Sequence, residues 1–228
     1  MAIVKKYNSI VDSVNEIVPG VFKVSFRSSK KFSYEPGQFL HLALDEYNPS
    51  MQWPDSRCFS MQSNPDSDLA TITYSAKGNF TKRMAVELTP GKEVWLKLPY
   101  GDFFQRGHSL NNCVFIAGGT GITPFLSLFT YSGFKEYVNP KLYVGLRSKE
   151  FNLYEAELHT AREINDSLSV EYIYENESGL LNIEKIFSEN GISATYFLSG
   201  PPVMLKLFKN ALLKNAVPES NIITDDWE

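Results

Sequence analysis

Two segments of the sequence carry residue types whose spacing suits the binding of phosphate. In CVFIAGGTGITPFLSLF, residues 113–129, an unbroken apolar run ends in Gly118-Gly119 and leads into Thr120, Thr123 and Pro124. The run reads as a buried strand, and the two threonines stand where they would cap a following helix. Pro124 falls in the first helical turn, where its missing N–H costs nothing because that group would be unpaired anyway. Glycines at such a turn let backbone N–H groups approach an anion that the helix N-terminus attracts. A cradle of this kind at the carboxyl end of a parallel strand is where open α/β sheets take their ligands. The spacing is neither GxGxxG nor GxxxxGK[ST], and the missing lysine argues against phosphoryl transfer.

The second segment is Arg57-Cys58-Phe59-Ser60, followed farther on by Gly78-Asn79-Phe80-Thr81 at the opening of a short helix. On a strand, Arg57 and Phe59 project to one face while Cys58 and Ser60 project to the other. An arginine beside a glycine-opened helix N-terminus makes an anion site, and Phe59 adds a flat apolar ring. Metal chemistry has no comparable support. His41, His108 and His159 show no HxH, HExxH or Cys/His spacing, and two cysteines, Cys58 and Cys113, cannot form a Cys₄ centre within one chain.

The elements that must position these residues fall into two kinds. Up to about residue 104, VFKVSF, QFLHLAL, RCFSMQS, LATITYS and EVWLKLP alternate or nearly so, and are separated by turn pairs such as Pro36-Gly37 and Pro90-Gly91. Short strands with one helix, TKRMAVEL at 81–88, predict a small antiparallel barrel. After about residue 110 apolar runs alternate with helical patterns: NCVFIAGG, PFLSLFTYS, KLYVGL, NLYEAELHTAREI, SVEYIYE, LNIEKIFSEN, ATYFLSG and PVMLKLFKNALLKN. That alternation predicts βαβ units and a parallel sheet covered on both faces. The polar, glycine-containing FFQRGHSLNN sets the expected boundary, giving domains at 1–106 and 107–228. A last strand is expected at 221–224.

Composition narrows the setting. The 228 residues exceed one typical domain of about 150 and exclude three. Apolar residues at 43% and charged ones at 21% describe a chain with a packed core, not a disordered one. The formal charge of −4 arises from 22 basic and 26 acidic residues mixed along the chain, which argues against nucleic acid as a partner. The opening MAIVKKYNSIVDSV lacks the apolar core of a signal peptide, and no run approaches the roughly 18 residues of a membrane span. Free thiols and the absence of such segments give the expectation of a soluble, cytoplasmic protein.

Taken together, six motifs resemble the ferredoxin–NADP⁺ reductase superfamily of flavin-dependent oxidoreductases. They are Tyr34-Glu35-Pro36-Gly37-Gln38-Phe39; the RxYS-like residues 57–60; the GxFT residues 78–81; Thr89-Pro90-Gly91 leading to Pro99-Tyr100-Gly101-Asp102-Phe103; GGTGITP at 118–124; and Ser199-Gly200-Pro201-Pro202. They occur in the family's order over roughly residues 20 to 227. The resemblance implies a Greek-key-like antiparallel barrel that binds FAD, followed by an α/β parallel-sheet domain that binds NAD(P)H.

By the same resemblance, Arg57, Cys58, Phe59, Ser60, Tyr74, Gly78, Asn79, Phe80 and Thr81 would hold the flavin. Among them Arg57 and the N–H groups of 78–81 would take its phosphates, and the Ser60 hydroxyl would sit by N5. Gly119, Thr120, Gly121, Ile122, Thr123 and Pro124 would carry the nicotinamide dinucleotide's pyrophosphate. Arg147 and Lys149 could pair with a 2′-phosphate, but an arginine at that place is also found in relatives using NADH, so either nucleotide stays open; Ser199, Gly200, Pro201 and Pro202 would line the nicotinamide side. Ser60, Ser199, Asp225 and Trp227 would be the catalytic set, the last two matching the acidic residue and aromatic with which relatives end. The chain departs from the pattern at three places: Phe59 for tyrosine, Ser199 for cysteine, and Gly179-Leu180-Leu181 where relatives read GRI. Hydride would pass from NAD(P)H to flavin N5, and electrons would go on to a separate acceptor, a ferredoxin- or flavodoxin-like protein or an oxygenase component. Lys77, Lys82 and Arg83 either dock such an acidic carrier or form a solvated helix face. Two other readings stand beside this one: a flavin or quinone reductase with a diffusible acceptor, and a non-catalytic electron-transfer subunit of a larger complex.

Overall fold

The computed structural model describes residues 3–225. The chain divides into two units, Met1–Asp102 and Phe103–Glu228, each with its own sheet and core. The first unit contains β1 (Lys5–Val18), β2 (Val21–Ser28), β3 (Phe39–Ala43), β4 (Ser56–Ser60), β5 (Ala70–Ser75), α1 (Asn79–Glu87) and β6 (Glu93–Tyr100). All strand pairs are antiparallel, in the order β4-β3-β6-β1-β2-β5, so β6 returns between β3 and β1 in Greek-key fashion. Just past β4, Gln62 N–H donates to the Thr71 carbonyl (2.7 Å), and the Thr73 hydroxyl donates to Gln62 Oε1 (2.5 Å). These bonds join the two edge strands and close the sheet toward a barrel, leaving fewer unpaired edge groups.

Apolar side chains on alternate positions fill this barrel. Val24, Phe26, Leu40, Leu42, Ile72, Leu96 and Leu98 are wholly buried, and Phe80 and Met84 of α1 join them. The Gln38 side chain accepts from Glu35 N–H (2.8 Å) and donates to the Gly101 carbonyl (2.8 Å), tying the 34–39 turn to the end of β6. Gly101, at φ +83°, is needed there, since a Cβ would sit 3.1 Å from the Phe39 ring.

β1, with 14 residues, precedes the first strand expected from the pattern and was not anticipated. Register shifts at Val11/Ser13 and Glu16/Val18 break its two-residue period, and Ser9 occupies a fully buried position. The strand through Arg57 also stops at Ser60, short of the expected 63.

The second unit contains β7 (Cys113–Gly118), α2 (Thr123–Phe129), β8 (Lys141–Leu146), α3 (Glu155–Ile164), β9 (Ser169–Tyr174), α4 (Glu175–Ser178), α5 (Ile183–Asn190), β10 (Thr195–Ser199), α6 (Pro202–Lys214) and β11 (Ile222–Thr224). Its sheet is parallel throughout, in the order β11-β10-β7-β8-β9. As expected, both faces are covered. Phe115, Phe125, Phe129, Phe134 and Phe197 fill one core, and Val114, Ile116, Tyr196, Ile186 and Leu212 the other. Phe103 and Phe104 belong to the first of these cores. The chain runs outward from β7 to β9, then returns to place β10 on β7's other side. Strand order therefore reverses between β7 and β10, the position where such sheets bind ligands. Among the described residues no helix is long and apolar enough to cross a membrane.

Candidate functional site

In the first unit the start of α1, the start of β4 and the end of β5 form one positively polarised depression of about 430 Å³, lined by Arg57, Ser75, Lys77 and residues 78–81. Gly78 is the extended N-cap of α1. The Thr81 hydroxyl accepts from Lys77 N–H (3.1 Å) and Gly78 N–H (3.0 Å), which folds the loop back onto the helix. The N–H groups of Asn79, Phe80 and Thr81 begin the helix, where no acceptor exists within the helix itself. The Arg57 guanidinium lies 5.2 Å over the Phe80 ring and donates to Asp55 Oδ1 and the Ser56 carbonyl, each at 2.7 Å. Cation, helix N-terminus and Lys77 all carry positive charge or potential, so this surface suits a phosphate.

Beside it, Phe59 is buried in the barrel core, its ring centroid 6.0 Å from that of Tyr74. Tyr74 stacks on Phe22 at 5.4 Å, and its buried hydroxyl has no hydrogen-bond partner among the described residues. Burial holds that hydroxyl's pKa above the usual tyrosine value. An unsatisfied buried donor costs about 1–3 kcal/mol, so Tyr74 is a group that a bound molecule would satisfy. Ser60, also buried, pairs across the ladder with Phe39. Cys58 takes the other direction: its Sγ lies 3.5 Å from His41 Nε2, and burial raises its thiol pKa. Arg57, Phe80 and Gly78 to Thr81 are thus brought together, while Cys58 is turned to His41. Arg83 is engaged by Asp45 and Glu87, which removes it from the suggested basic cluster.

In the second unit, the turn after β7 is one 3₁₀ turn, Gly119–Ile122, running directly into α2. The expected threonine caps are absent. Ile122 is the N-cap of α2, and the Thr123 hydroxyl donates back to the Thr120 carbonyl (3.0 Å). The 3₁₀ turn has placed both threonines inside the helical run, where a hydroxyl bonds to a preceding carbonyl. The glycines behave as expected of a close approach. A Cβ on Gly121 would lie 2.5 Å from the Ser199 carbonyl oxygen, and one on Gly118 would lie 2.8 Å from Pro201 Cδ and Met204 Sδ. Gly119 (φ +56°) and Gly200 (φ +153°) supply backbone shapes that side chains resist. Met204 thus joins Gly118 at the site, and nothing in its own segment marks it.

Pro201 and Pro202 carry the chain from β10 into α6. The Ser199 hydroxyl donates to Asp225 Oδ2 (3.0 Å), both side chains being buried, and Asp225 N–H donates to the Leu198 carbonyl (2.9 Å). Trp227 lies outside the described residues. Arg147 follows β8, on the side of β7 away from Ser199, with its guanidinium 5.9 Å over Phe151.

Comparison with known proteins agrees with this layout. Residues 115–209 match the oxidoreductase NAD-binding domain family. The chain is 30% identical over 156 residues to methane monooxygenase component C of Methylosinus trichosporium, covering 67% of this chain and 44% of that protein. It is 27% identical over 214 residues to the reductase component of propane 2-monooxygenase from Mycolicibacterium smegmatis, covering 86% of this chain and 60% of that one. The chain therefore spans about half the length of these two relatives. Its fold superposes over its whole length on a cytochrome P450 reductase from Amycolatopsis, with TM-score 0.83 at 18% identity and 71% of that chain covered. It also superposes over 98% of its length on 98% of a ferredoxin NADP⁺ reductase from Neisseria gonorrhoeae solved with FAD and NADP, with TM-score 0.76 at 17% identity. An antiparallel six-strand unit followed by a parallel five-strand unit is thus the fold shared with these reductase structures, and residues 115–209 match the NAD-binding domain family.

Proposed function

We propose that the chain is a FAD-dependent NAD(P)H oxidoreductase that passes electrons to a separate acceptor. The observation that carries this reading is the packing of Gly118 and Gly121 against Ser199–Pro201 at the point where strand order reverses. It leaves a glycine-rich turn, open over Gly119, where a pyrophosphate is best held. The first unit fits a flavin dinucleotide: the α1 N-terminus and Arg57 suit its phosphates, and Tyr74 holds a buried hydroxyl in need of a partner.

When bound, FAD supplies the redox chemistry, taking a hydride from the nicotinamide and releasing electrons singly or as a pair. The chain's own part is binding and orientation. Arg57 and the N–H groups of Asn79, Phe80 and Thr81 would hold phosphate, the Gly78 N–H being taken by the Thr81 hydroxyl; Phe59 and Tyr74 would give the barrel wall an apolar surface with one hydroxyl; Ser60 would offer a buried hydroxyl to the ring. Gly119 to Pro124 hold the second dinucleotide's pyrophosphate, Gly200 to Pro202 border the nicotinamide side, and Arg147 stands on the adenosine side. Asp225 fixes the Ser199 hydroxyl by accepting its proton in a hydrogen bond, so Ser199 keeps one orientation. The two curated relatives are named as components of oxygenase systems, which supports an acceptor that is itself a protein.

The test is the visible spectrum of the purified chain after incubation with FAD, followed by anaerobic addition of NADH and NADPH in turn. The expected result is a stably yellow protein that bleaches with nucleotide. A protein that retains no flavin and shows no nucleotide-dependent change overturns the reading.

A further inference from the structure

We infer that this chain selects the dinucleotide without a 2′-phosphate, NADH over NADPH, through the loops that follow β8 and β9, where Lys149 is held by Glu177 amid a net negative charge. The inference rests on the reading of residues 119–124 as a dinucleotide cradle. In a parallel sheet with pyrophosphate at the turn after one strand, side chains at the end of the adjacent strand meet the ribose. A carboxylate there suits the free hydroxyl and a free cation suits the phosphate. β8 is that adjacent strand, lying on β7's side away from β10.

Arg147-Ser148-Lys149-Glu150 follows β8, and Glu175-Asn176-Glu177 follows β9. The two loops are one surface, since Asn176 N–H donates to the Arg147 carbonyl (3.2 Å) and Lys149 Nζ lies 3.1 Å from Glu177 Oε1. These two loops carry two cations, Arg147 and Lys149, and three carboxylates, Glu150, Glu175 and Glu177. The Ser148 hydroxyl bonds the Glu150 carboxylate and holds its pKa below the usual range, so Glu150 stays anionic. Next to this surface the space over Gly145 is filled by an apolar side chain: a Cβ on Gly145 would meet Leu181 Cδ1 at 2.7 Å.

A phosphate monoester brings a charge of about −1.5 to −2 at pH 7. To seat it, Lys149 must leave Glu177, and the phosphate must then approach three carboxylates offset by two cations, Lys149 and Arg147. A ribose hydroxyl needs only an acceptor, which these glutamates supply.

The experiment is calorimetric titration of NAD⁺ and NADP⁺ into the intact chain at low ionic strength, for wild type and Glu177→Gln. Binding heat reads the site directly, without turnover. Wild type is expected to bind NAD⁺ about ten-fold or more tighter than NADP⁺, since like charges brought together are costly. Glu177→Gln frees Lys149 and removes one carboxylate. It should raise NADP⁺ affinity relative to NAD⁺ by about three- to ten-fold, and lose this gain as salt screens the exposed charges. Equal or tighter binding of NADP⁺ by wild type overturns the inference while leaving the cradle intact, as does an unaltered ratio of the two affinities in the variant. Failure of both nucleotides to bind overturns the cradle reading and the inference with it.

Discussion

Replacing Gly121 by alanine puts one methyl group where the backbone leaves no room. The new Cβ would lie 2.5 Å from the Ser199 carbonyl oxygen and 2.6 Å from both Gly200 N and Cα, about half an ångström inside the 3.0 Å that Cβ atoms keep. None of these atoms belongs to a side chain that can rotate away. Ser199 is held in the parallel ladder opposite Ala117, and Gly200 packs against Gly118. The turn after β7 must therefore move, and with it the N–H groups proposed to hold pyrophosphate. Forcing a methyl into a packed site costs about 1–3 kcal/mol, and each kcal/mol lowers the melting temperature of a chain this size by roughly 2–4 °C. Misplaced donors should weaken nucleotide binding by about ten-fold or more, since charge-assisted bonds contribute about 1.5–3 kcal/mol. Two controls separate steric from conformational effects. Gly119→Ala meets nothing within 4 Å and pays only for its φ of +56°, while Gly107→Ala meets nothing and has no positive φ. Thermal unfolding and calorimetric titration of the three variants decide the matter. Wild-type melting and affinity for Gly121→Ala would refute the close-packed turn.

Arg57→Ala should weaken FAD binding by about ten-fold without unfolding the barrel, because one charge-assisted contact to phosphate is lost at an exposed position; flavin fluorescence quenching reads it, and unchanged affinity removes Arg57 from the site. Ser60→Ala should slow flavin reduction by nucleotide far more than it lowers flavin content, and stopped-flow reduction at the wild-type rate would contradict the placing of its hydroxyl beside the ring. Arg83 holds the carboxyl groups of Asp45 and Glu87 below their usual range, chiefly by hydrogen bonding. A lowered folded-state pKa gives stability that is present above the unfolded values and is lost as the pH falls through the folded ones. Asp45→Asn should therefore flatten the loss of melting temperature as the pH falls below the ordinary aspartate pKa of about 4, modestly because the pair is exposed; identical acid slopes in variant and wild type would show the pair contributes nothing.

The parallel sheet was readable because its strands are buried on both faces and so appear as unbroken apolar runs; KLYVGL coincides with β8 residue for residue. The barrel was readable where strands are short and regular, as in β2 and β5. β1 escaped because its two register shifts make the buried positions, Tyr7, Ser9 and Val11, drift out of alternation after Val11, and because the middle one is a serine. A bulge is a property of two paired strands, and its cause lies in the partner β2 as much as in β1 itself.

The site shows the same division between local and non-local causes. Glycines at a strand–helix turn mark a backbone need within a few residues, so GGTG was legible on its own. The threonine caps failed because a 3₁₀ turn and an α-helix start from the same residue types, and the choice depends on how closely β10 and α6 press on the turn. The bond from Ser199 to Asp225 is non-local altogether, its partners standing 26 residues apart. Nothing local in either segment encodes it. The pairing of Tyr196 with Ile222, Phe197 with Ile223 and Leu198 with Thr224 sets the register, so the residue after β11 comes level with Ser199. Because strand side chains alternate between faces, a slip of one residue would turn Asp225 to the opposite side of the sheet. The carboxylate at Ser199 is therefore positioned by the apolar residues of β11, Ile222 and Ile223, whose burial in the two opposite cores permits only one register.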